Sequence, residues 1–260
     1  MPRMFLAMGL VLVFLTSACQ PSPEAIKQTL RDNPDILMDV LAEHKMELVE
    51  LVQQGLKERS AKQAEERLQA ELENPLEPVI GEDRIVFGNP EAPVAVVEYS
   101  DFLCPHCSRA DVIVSGLLEG RDDLKLVFKH YPLHQNSLQA ALVFEALGGQ
   151  DKDKAWEFKK KLFAAQEEYA EKGLPVLKDI LTEVGADPGL VETAVNDQDL
   201  VDRVLADIKE AESFGFKGTP TFLVGGVEIR GAAPAEEFER VIRLVEERQA
   251  AECDECTKQP

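Results

Sequence analysis

A chain of 260 residues, 45% of them hydrophobic, is long enough for one sizeable domain plus an appendage and apolar enough to bury a core. Its formal net charge of -20 at pH 7 argues against nucleic acid or an anionic membrane as a partner held by the surface field. The 5 cysteines, Cys19, Cys104, Cys107, Cys253 and Cys256, form two CxxC pairs and one singleton, and none sits in the body of an expected helix or strand, which argues against a network of core disulfides.

Arg3 precedes an apolar run over 4–15 that ends at Thr16-Ser17-Ala18-Cys19. The run is too short for a permanent bilayer span and has the layout of an export signal over residues 1–18. Small residues before a cysteine resemble a bacterial lipoprotein signal, with Cys19 lipidated as the first mature residue and anchoring the protein to a membrane. Thr16 departs from that pattern, which usually has a branched aliphatic there. The competing reading is an ordinary cleaved signal ending Thr-Ser-Ala. Either version sends the chain to the periplasm or cell envelope, an oxidising compartment where thiol–disulfide chemistry has substrates.

Residues 19–23 read as a tether and 24–73 as a helical stalk. Ile26 and Leu30 share a face before Asn33-Pro34-Asp35, a helix restart with Asn as N-cap and Pro in the first turn. Leu37, Leu41, His44, Leu48, Leu51 and Gly55 then follow alternating four- and three-residue steps, a short heptad seam widened by Val40 and Val52. A lone helix cannot bury that stripe. It either folds back on its own domain or self-associates, and the expectation is a homo-oligomer, dimer or trimer, through 24–73. His44 is expected as a buried or register-setting polar residue of the seam. Residues 59–73 are charge-rich, as in a solvated spacer, and Asn74-Pro75 opens a linker over 74–82.

The remainder, 83–248, reads as α/β. Strands are expected at 84–87, 93–99 and 124–130, with a helix over 108–118 and a right-handed crossover. An all-helical insertion follows over 135–214, in segments 135–149, 152–170, 174–184, 188–195 and 198–214, with Trp156, Phe158 and Phe163 as its core. Strands return at 218–224 and 227–230 around Gly225-Gly226. An amphipathic helix opens at Pro234, and a polar tail over 249–260 carries Cys253 and Cys256.

Cys104-Pro105-His106-Cys107 lies where the second strand gives way to a helix. A CxxC pair there can be half a metal site, a structural disulfide or a redox pair, and the strand-then-helix context is the one a thioredoxin-like redox motif requires. The thiolate is the nucleophile, and Cys104 at a helix first turn faces unpaired N–H groups and the positive end of the dipole. Pro105 loses no donor there. His106 is expected to direct a hydrogen bond or positive charge at the sulfur, and Cys107 to act as the resolving thiol.

That motif, after Glu98-Tyr99-Ser100-Asp101-Phe102-Leu103 and followed by a helical insertion and Gly218-Thr219-Pro220, resembles the DsbA family of thioredoxin-fold oxidoreductases over residues 83 to 248. The resemblance implies a cis Pro220 facing the redox pair, with Thr219 offering backbone hydrogen bonds to a bound peptide. It also implies a buried acid at Glu98 with a basic partner at Lys129, acting as a proton relay or as a structural ion pair. The stalk and the Thr-Pro pair look like the stalked suppressor-of-copper-sensitivity and Com1-like subgroup. There, paired active sites support disulfide isomerisation. No cofactor or metal is implied.

The implied function is an exported thiol:disulfide oxidoreductase that forms or isomerises disulfides in secreted proteins. Its implied partners are cysteine-containing exported proteins and a membrane redox partner. Two alternatives remain open: a metal-binding or metal-stress scaffold using Cys104, His106 and Cys107, and a peptide-binding chaperone. Cys253 and Cys256, flanked by Glu252, Asp254 and Glu255, should have raised thiol pKa values. They are read first as a surface disulfide, then as a redox relay, then as a metal site.

Overall fold

The computed structural model describes residues 22–81 and 84–256, with side chains through 251. The chain divides into two compact units, residues 1–62 and 63–260.

The first unit is helical. Helix α1, Pro23–Asp32, is capped by Ser22, whose hydroxyl accepts from the Ala25 N–H at 3.2 Å. Helix α2 is Pro34–Glu43 and helix α3 is Lys45–Glu73. Asn33 precedes α2 as expected, but its side chain makes no cap bond there. Its amide donates backwards to the Thr29 carbonyl at 3.0 Å, closing α1 instead. His44 is not a seam residue inside one continuous helix: it ends α2, and its Nδ1 lies 3.1 Å from Glu47. Ile36, Leu37, Met38, Val40, Met46, Leu48, Val49, Leu51, Val52 and Leu56 are all exposed.

The second unit begins inside α3. Leu68 is buried and Leu72 packs against the same core, so the last turns of the expected stalk belong to this unit. The expected linker is likewise tied down, with the Leu76 N–H donating to Gly226 O at 2.9 Å and the Val79 N–H donating to Glu210 at 2.7 Å. Gly226, at φ +89°, is required at that approach, because a Cβ there would lie 2.4 Å from Leu76 O. The unit boundary therefore falls at 62/63 rather than at 73/74.

Its strands are β1 Val86–Gly88, β2 Val94–Ser100, β3 Leu124–His130, β4 Thr221–Val224 and β5 Val227–Arg230. They form one sheet in the order β1-β3-β2-β4-β5, with β2 and β3 parallel and the other pairs antiparallel. Helix α4, Pro105–Leu118, makes the crossover from β2 to β3. Six helices separate β3 from β4: α5 Ser137–Gln150, α6 Lys152–Ala164, α7 Gln166–Lys172, α8 Leu174–Glu183, α9 Leu190–Ala194 and α10 Gln198–Ser213. Helix α11, Ala235–Cys256, continues through what the sequence suggests is a polar tail.

The pleat sorts the strands' side chains onto two faces. Val94, Val96, Leu124, Leu126, Phe128, Phe222 and Val224 join the large core with α4, α5, α6 and α11. Val97, Tyr99, Val127 and Leu223 face the other way, onto Ala211 of α10 and Phe216. Phe158 and Phe163 are buried as expected, whereas Trp156 is only partly buried, its ring 4.6 Å from that of Phe87.

Candidate active site

The redox pair sits where β2 hands over to α4. Cys104 is the N-cap residue, with extended φ/ψ of -84° and 117°, and Pro105 follows in the first turn. Cys104 keeps 5% of its surface exposed and Cys107 keeps 0%, so an incoming sulfur reaches Cys104 first. The Cys104 sulfur lies 3.3 Å from the Thr219 carbonyl, to which the protonated thiol donates, and the Thr219–Pro220 bond is cis. This places the two separated motifs against each other across 115 residues.

The two thiols are strongly polarised. A hydrogen bond from the Cys107 thiol lowers Cys104 to about 5, aided by the Thr219 side chain and the backbone N–H groups of Cys107 and His106 against the opposing effect of burial. Cys107 is pushed up, first by burial, then by that shared hydrogen bond and by the negative charge of Glu98. One sulfur is a stable anion at neutral pH and the other holds its proton.

His106 acts on the sulfur through its backbone and not through its ring. The ring's Nδ1 accepts from the Arg109 guanidinium at 2.6 Å at the surface, one turn along α4. A side chain in the first turn of an exposed helix face is free to turn outward, and here Arg109 captures it.

Lys129 does not meet Glu98. The register pairs Glu98 with Phe128 and Tyr99 with Lys129, so Lys129 emerges on the opposite face of the sheet. There it pairs with Glu210, lies 3.9 Å from Asp207 and sits 5.6 Å from the Tyr99 ring centre. The cation that acts on Glu98 is Lys159 of α6, itself buried and ion-paired to Asp111 of α4. Lys159 also packs 4.1 Å from the Trp156 ring centre. Burial raises Glu98 to about 7, with Lys159 lowering it and Asp111 raising it. Ser100 beside it lowers it slightly, but no donor reaches either Glu98 oxygen at full hydrogen-bonding geometry.

The raised carboxyl ties stability to pH. Glu98 titrates higher in the fold than its ordinary 4.5, so the stability of its neutral form is complete below about pH 4.5 and is lost as the pH rises through about 7. Between pH 5 and pH 9, the unfolding free energy of Glu98→Gln is expected to gain about 3 kcal/mol on that of the wild type, each tenfold change in proton affinity being worth about 1.4 kcal/mol. Urea unfolding at the two pH values checks it, and a pH-independent difference would refute the assignment.

Asp101 carries a role that sequence reading overlooked. Its buried carboxylate accepts from the Leu103 N–H at 2.8 Å, the Leu133 N–H at 2.6 Å, the His134 N–H at 2.9 Å and from Ser137, and it contacts His134 Nδ1 at 2.8 Å. It thereby fastens the CxxC loop to the segment after β3. Only the Asx-type bond to Leu103 has a local sequence signal.

Cys19 lies outside the described residues, as does the export signal. The α11 backbone reaches Cys253 and Cys256, whose side chains lie beyond the described ones. Among the described residues, no group of three His, Cys, Asp or Glu side chains is placed to hold a metal ion. No described helix is long and apolar enough to cross a membrane.

A family profile described as Thioredoxin matches residues 81–243, and the chain belongs to that family. Among solved structures, a thioredoxin-like oxidoreductase from Silicibacter pomeroyi is 26% identical with a TM-score of 0.57, covering 64% of this chain and 94% of the other. Alpha-DsbA1 of Wolbachia pipientis shares the fold at 21% identity and a TM-score of 0.59, over 66% of this chain and 96% of that one. ScsC of Proteus mirabilis, in a transitional conformation, shares it at 18% identity and a TM-score of 0.57, covering 87% of this chain and 100% of the other. Among curated sequences, a protein named Na(+)/H(+) antiporter NhaA 1 from Mycobacterium sp. (strain KMS) is 30% identical over 171 residues. The match covers 64% of this chain and 27% of the antiporter. The chain thus spans about a quarter of the length of such relatives, and the antiporter name belongs to those longer chains.

Proposed function

We propose that this protein is an exported thiol:disulfide oxidoreductase that forms or rearranges disulfides in other exported proteins through Cys104 and Cys107. The observation that carries the reading is the polarised pair set against Thr219 and cis Pro220, with a low thiol that keeps a sliver of exposure and a high one fully buried beneath it.

In the oxidising direction, a substrate thiolate attacks the Cys104 sulfur. The Cys104–Cys107 bond breaks, and Cys107 leaves with the electron pair and takes up a proton. Glu98, raised to about 7 and close enough to act on Cys107, is suited to supply it. A second substrate thiolate then attacks the substrate sulfur of the mixed disulfide, and Cys104 departs as a thiolate. The substrate dithiol is oxidised and the protein disulfide reduced; of the two substrate protons, one ends on Cys107 and one in solvent. Thr219, whose carbonyl lies 3.3 Å from the Cys104 sulfur, would align the substrate backbone beside cis Pro220.

Rearrangement uses the same pair from the reduced side and benefits from two sites facing one substrate. The exposed apolar residues of α2 and the start of α3 support a homo-oligomer, dimer or trimer, through the stalk, because large apolar side chains clustered along one helical segment favour burial against a partner. Light scattering on the full chain is expected to give a dimer or trimer mass, and Leu48→Glu combined with Leu51→Glu is expected to give a monomer. A monomeric wild-type chain would sink the oligomer.

The proposal includes delivery to the periplasm or cell envelope and lipidation at Cys19, which mass spectrometry of the mature N-terminus would test. The function itself is tested by catalysed oxidative refolding of a reduced protein and by scrambled-substrate rescue. Absence of both, with the dithiol intact, would overturn it. Stoichiometric metal binding without exchange activity would support the metal-scaffold reading instead.

A further inference from the structure

The segment 152–170 has the periodicity of one helix, yet the chain breaks at Ala165 (φ -102°, ψ 19°) between α6 and α7. The break brings the first residue of α7, Gln166, against the redox loop. Its side-chain Nε2 donates to the carbonyl of Phe102 at 2.7 Å and to that of Cys104 at 3.0 Å. The same corner makes two further contacts: the Ser108 hydroxyl donates to Phe163 O at 3.3 Å, and the Phe163 and Phe102 rings are 5.2 Å apart. The α6–α7 corner of the helical insertion therefore grips residues on both sides of Cys104.

We propose that Gln166 is a positioning residue for the redox pair, holding the Phe102 and Cys104 carbonyls so that the N–H groups of the first turn of α4 stay aimed at the Cys104 sulfur. This rests on the oxidoreductase reading and deepens it. A primary amide presents two donors from one nitrogen, which suits two carbonyl oxygens bracketing a turn. The Cys104 carbonyl also accepts from the Cys107 N–H at 3.0 Å and the Ser108 N–H at 3.2 Å. A carbonyl carrying these donors has its partial negative charge drawn away from the thiolate. Released from Gln166, the Phe102–Leu103 and Cys104–Pro105 peptide planes gain freedom to rotate. An oxygen turned toward the sulfur repels the anion, while the N–H groups that stabilise it lose alignment. Gln166 touches neither sulfur, so its effect passes entirely through the backbone of the loop.

The test compares Gln166→Met, which keeps the length and removes the donors, with Gln166→Lys, which keeps a donor and adds positive charge. Thiolate ultraviolet absorbance against pH and the equilibrium with reduced and oxidised glutathione are read on the full chain. Thermal unfolding of the oxidised form checks that each variant folds. Gln166→Met is expected to raise the Cys104 midpoint and shift the glutathione equilibrium about 3- to 10-fold toward the protein disulfide, the effect of about one net hydrogen bond. Gln166→Lys is expected to leave both at the wild-type values or move them the opposite way.

A purely structural role would move both variants in the same direction, and that result, or two wild-type profiles, overturns the proposal. Should Gln166→Met fail to fold, Gln166→Lys decides alone: a midpoint above wild type overturns it and one at or below supports it. A wild-type protein with no low thiol midpoint would overturn the oxidoreductase reading itself, a different result from a wild type with a low midpoint and unresponsive variants.

Discussion

Replacing Cys104 with serine is expected to bring thiol–disulfide exchange down to the uncatalysed rate and to abolish the low-pH thiolate absorbance. Cys107→Ser is expected to leave a reactive Cys104 that accumulates mixed disulfides with substrate. The reason for this asymmetry is the separation of the two thiols, one lowered to about 5 and the other raised. At pH 7, a thiol with that pKa is about 99% ionised, against about 3% for an ordinary cysteine, a gain of about 30-fold in thiolate. A thiolate's nucleophilicity falls with its basicity, and a Brønsted slope of about 0.4–0.5 over this pKa difference gives back about 25- to 55-fold.

Attack is therefore hardly accelerated. What remains is departure: Cys104 leaves readily, and its ionisation at pH 7 favours the reduced protein by about 100-fold, equivalent to about 60 mV for a two-electron couple. The lowered group contributes this stabilisation above its ordinary pKa and loses it as the pH falls through about 5. The oxidising advantage of the pair should consequently grow as the pH rises from about 5 toward the ordinary thiol pKa and be lost in acid. Measured against glutathione at several pH values, a potential with no change of slope near pH 5 would contradict the assignment. So would exchange activity that survives in Cys104→Ser and vanishes in Cys107→Ser.

The second large effect is expected at Lys159. Its ammonium is fully buried, ion-paired to Asp111 and placed against the Trp156 ring. Removing one partner of a buried pair strands the other charge, at a cost of about 3–5 kcal/mol, so Lys159→Met should lower the midpoint of thermal unfolding by roughly 10 °C for a domain of this size. It also removes the charge that lowers Glu98, which should drive that carboxyl higher and shift the pH dependence of Cys107 release. Lys129→Met breaks a buried pair too, with Glu210, but on the other face of the sheet, and is expected to reduce stability without moving that pH profile. Combining Lys159→Met with Asp111→Leu should restore much of the lost stability, because both charges are then gone. Denaturant unfolding and the pH profile of mixed-disulfide release separate these outcomes. If Lys129→Met moved the profile and Lys159→Met did not, Glu98 would belong to the other cation.

The contrast between these lysines marks the limit of what could be read in advance. The α/β order, the CxxC at a strand-to-helix junction, Pro105 in the first turn, the helical insertion and the later Thr219-Pro220 all carry short-range signals. Alternation, start signals and turn residues act within a few positions of one another. They place β3 at 124–130 and α4 after the second strand, in agreement with the fold. The fold also departs from local expectation. The break at Ala165 runs against the local periodicity, and the last turns of α3 join the catalytic unit because Leu68 and Leu72 find its core.

Chain order and periodicity alone therefore determined an α/β unit with a CxxC pair at a strand-to-helix junction and a helical extension carrying an apolar stripe, and the thioredoxin type followed from the resemblance of the motifs. Tertiary structure decided which groups surround the pair. A shift of one residue along a pleated strand reverses the face, which sends Lys129 away from Glu98 and leaves Phe128 in its place. The cation that does reach Glu98 comes from α6 and is joined to Asp111 over 48 residues of chain, and the amide that grips the redox loop spans 64 and 62. Contacts of that range depend on how the insertion packs onto the sheet, and no local pattern encodes them.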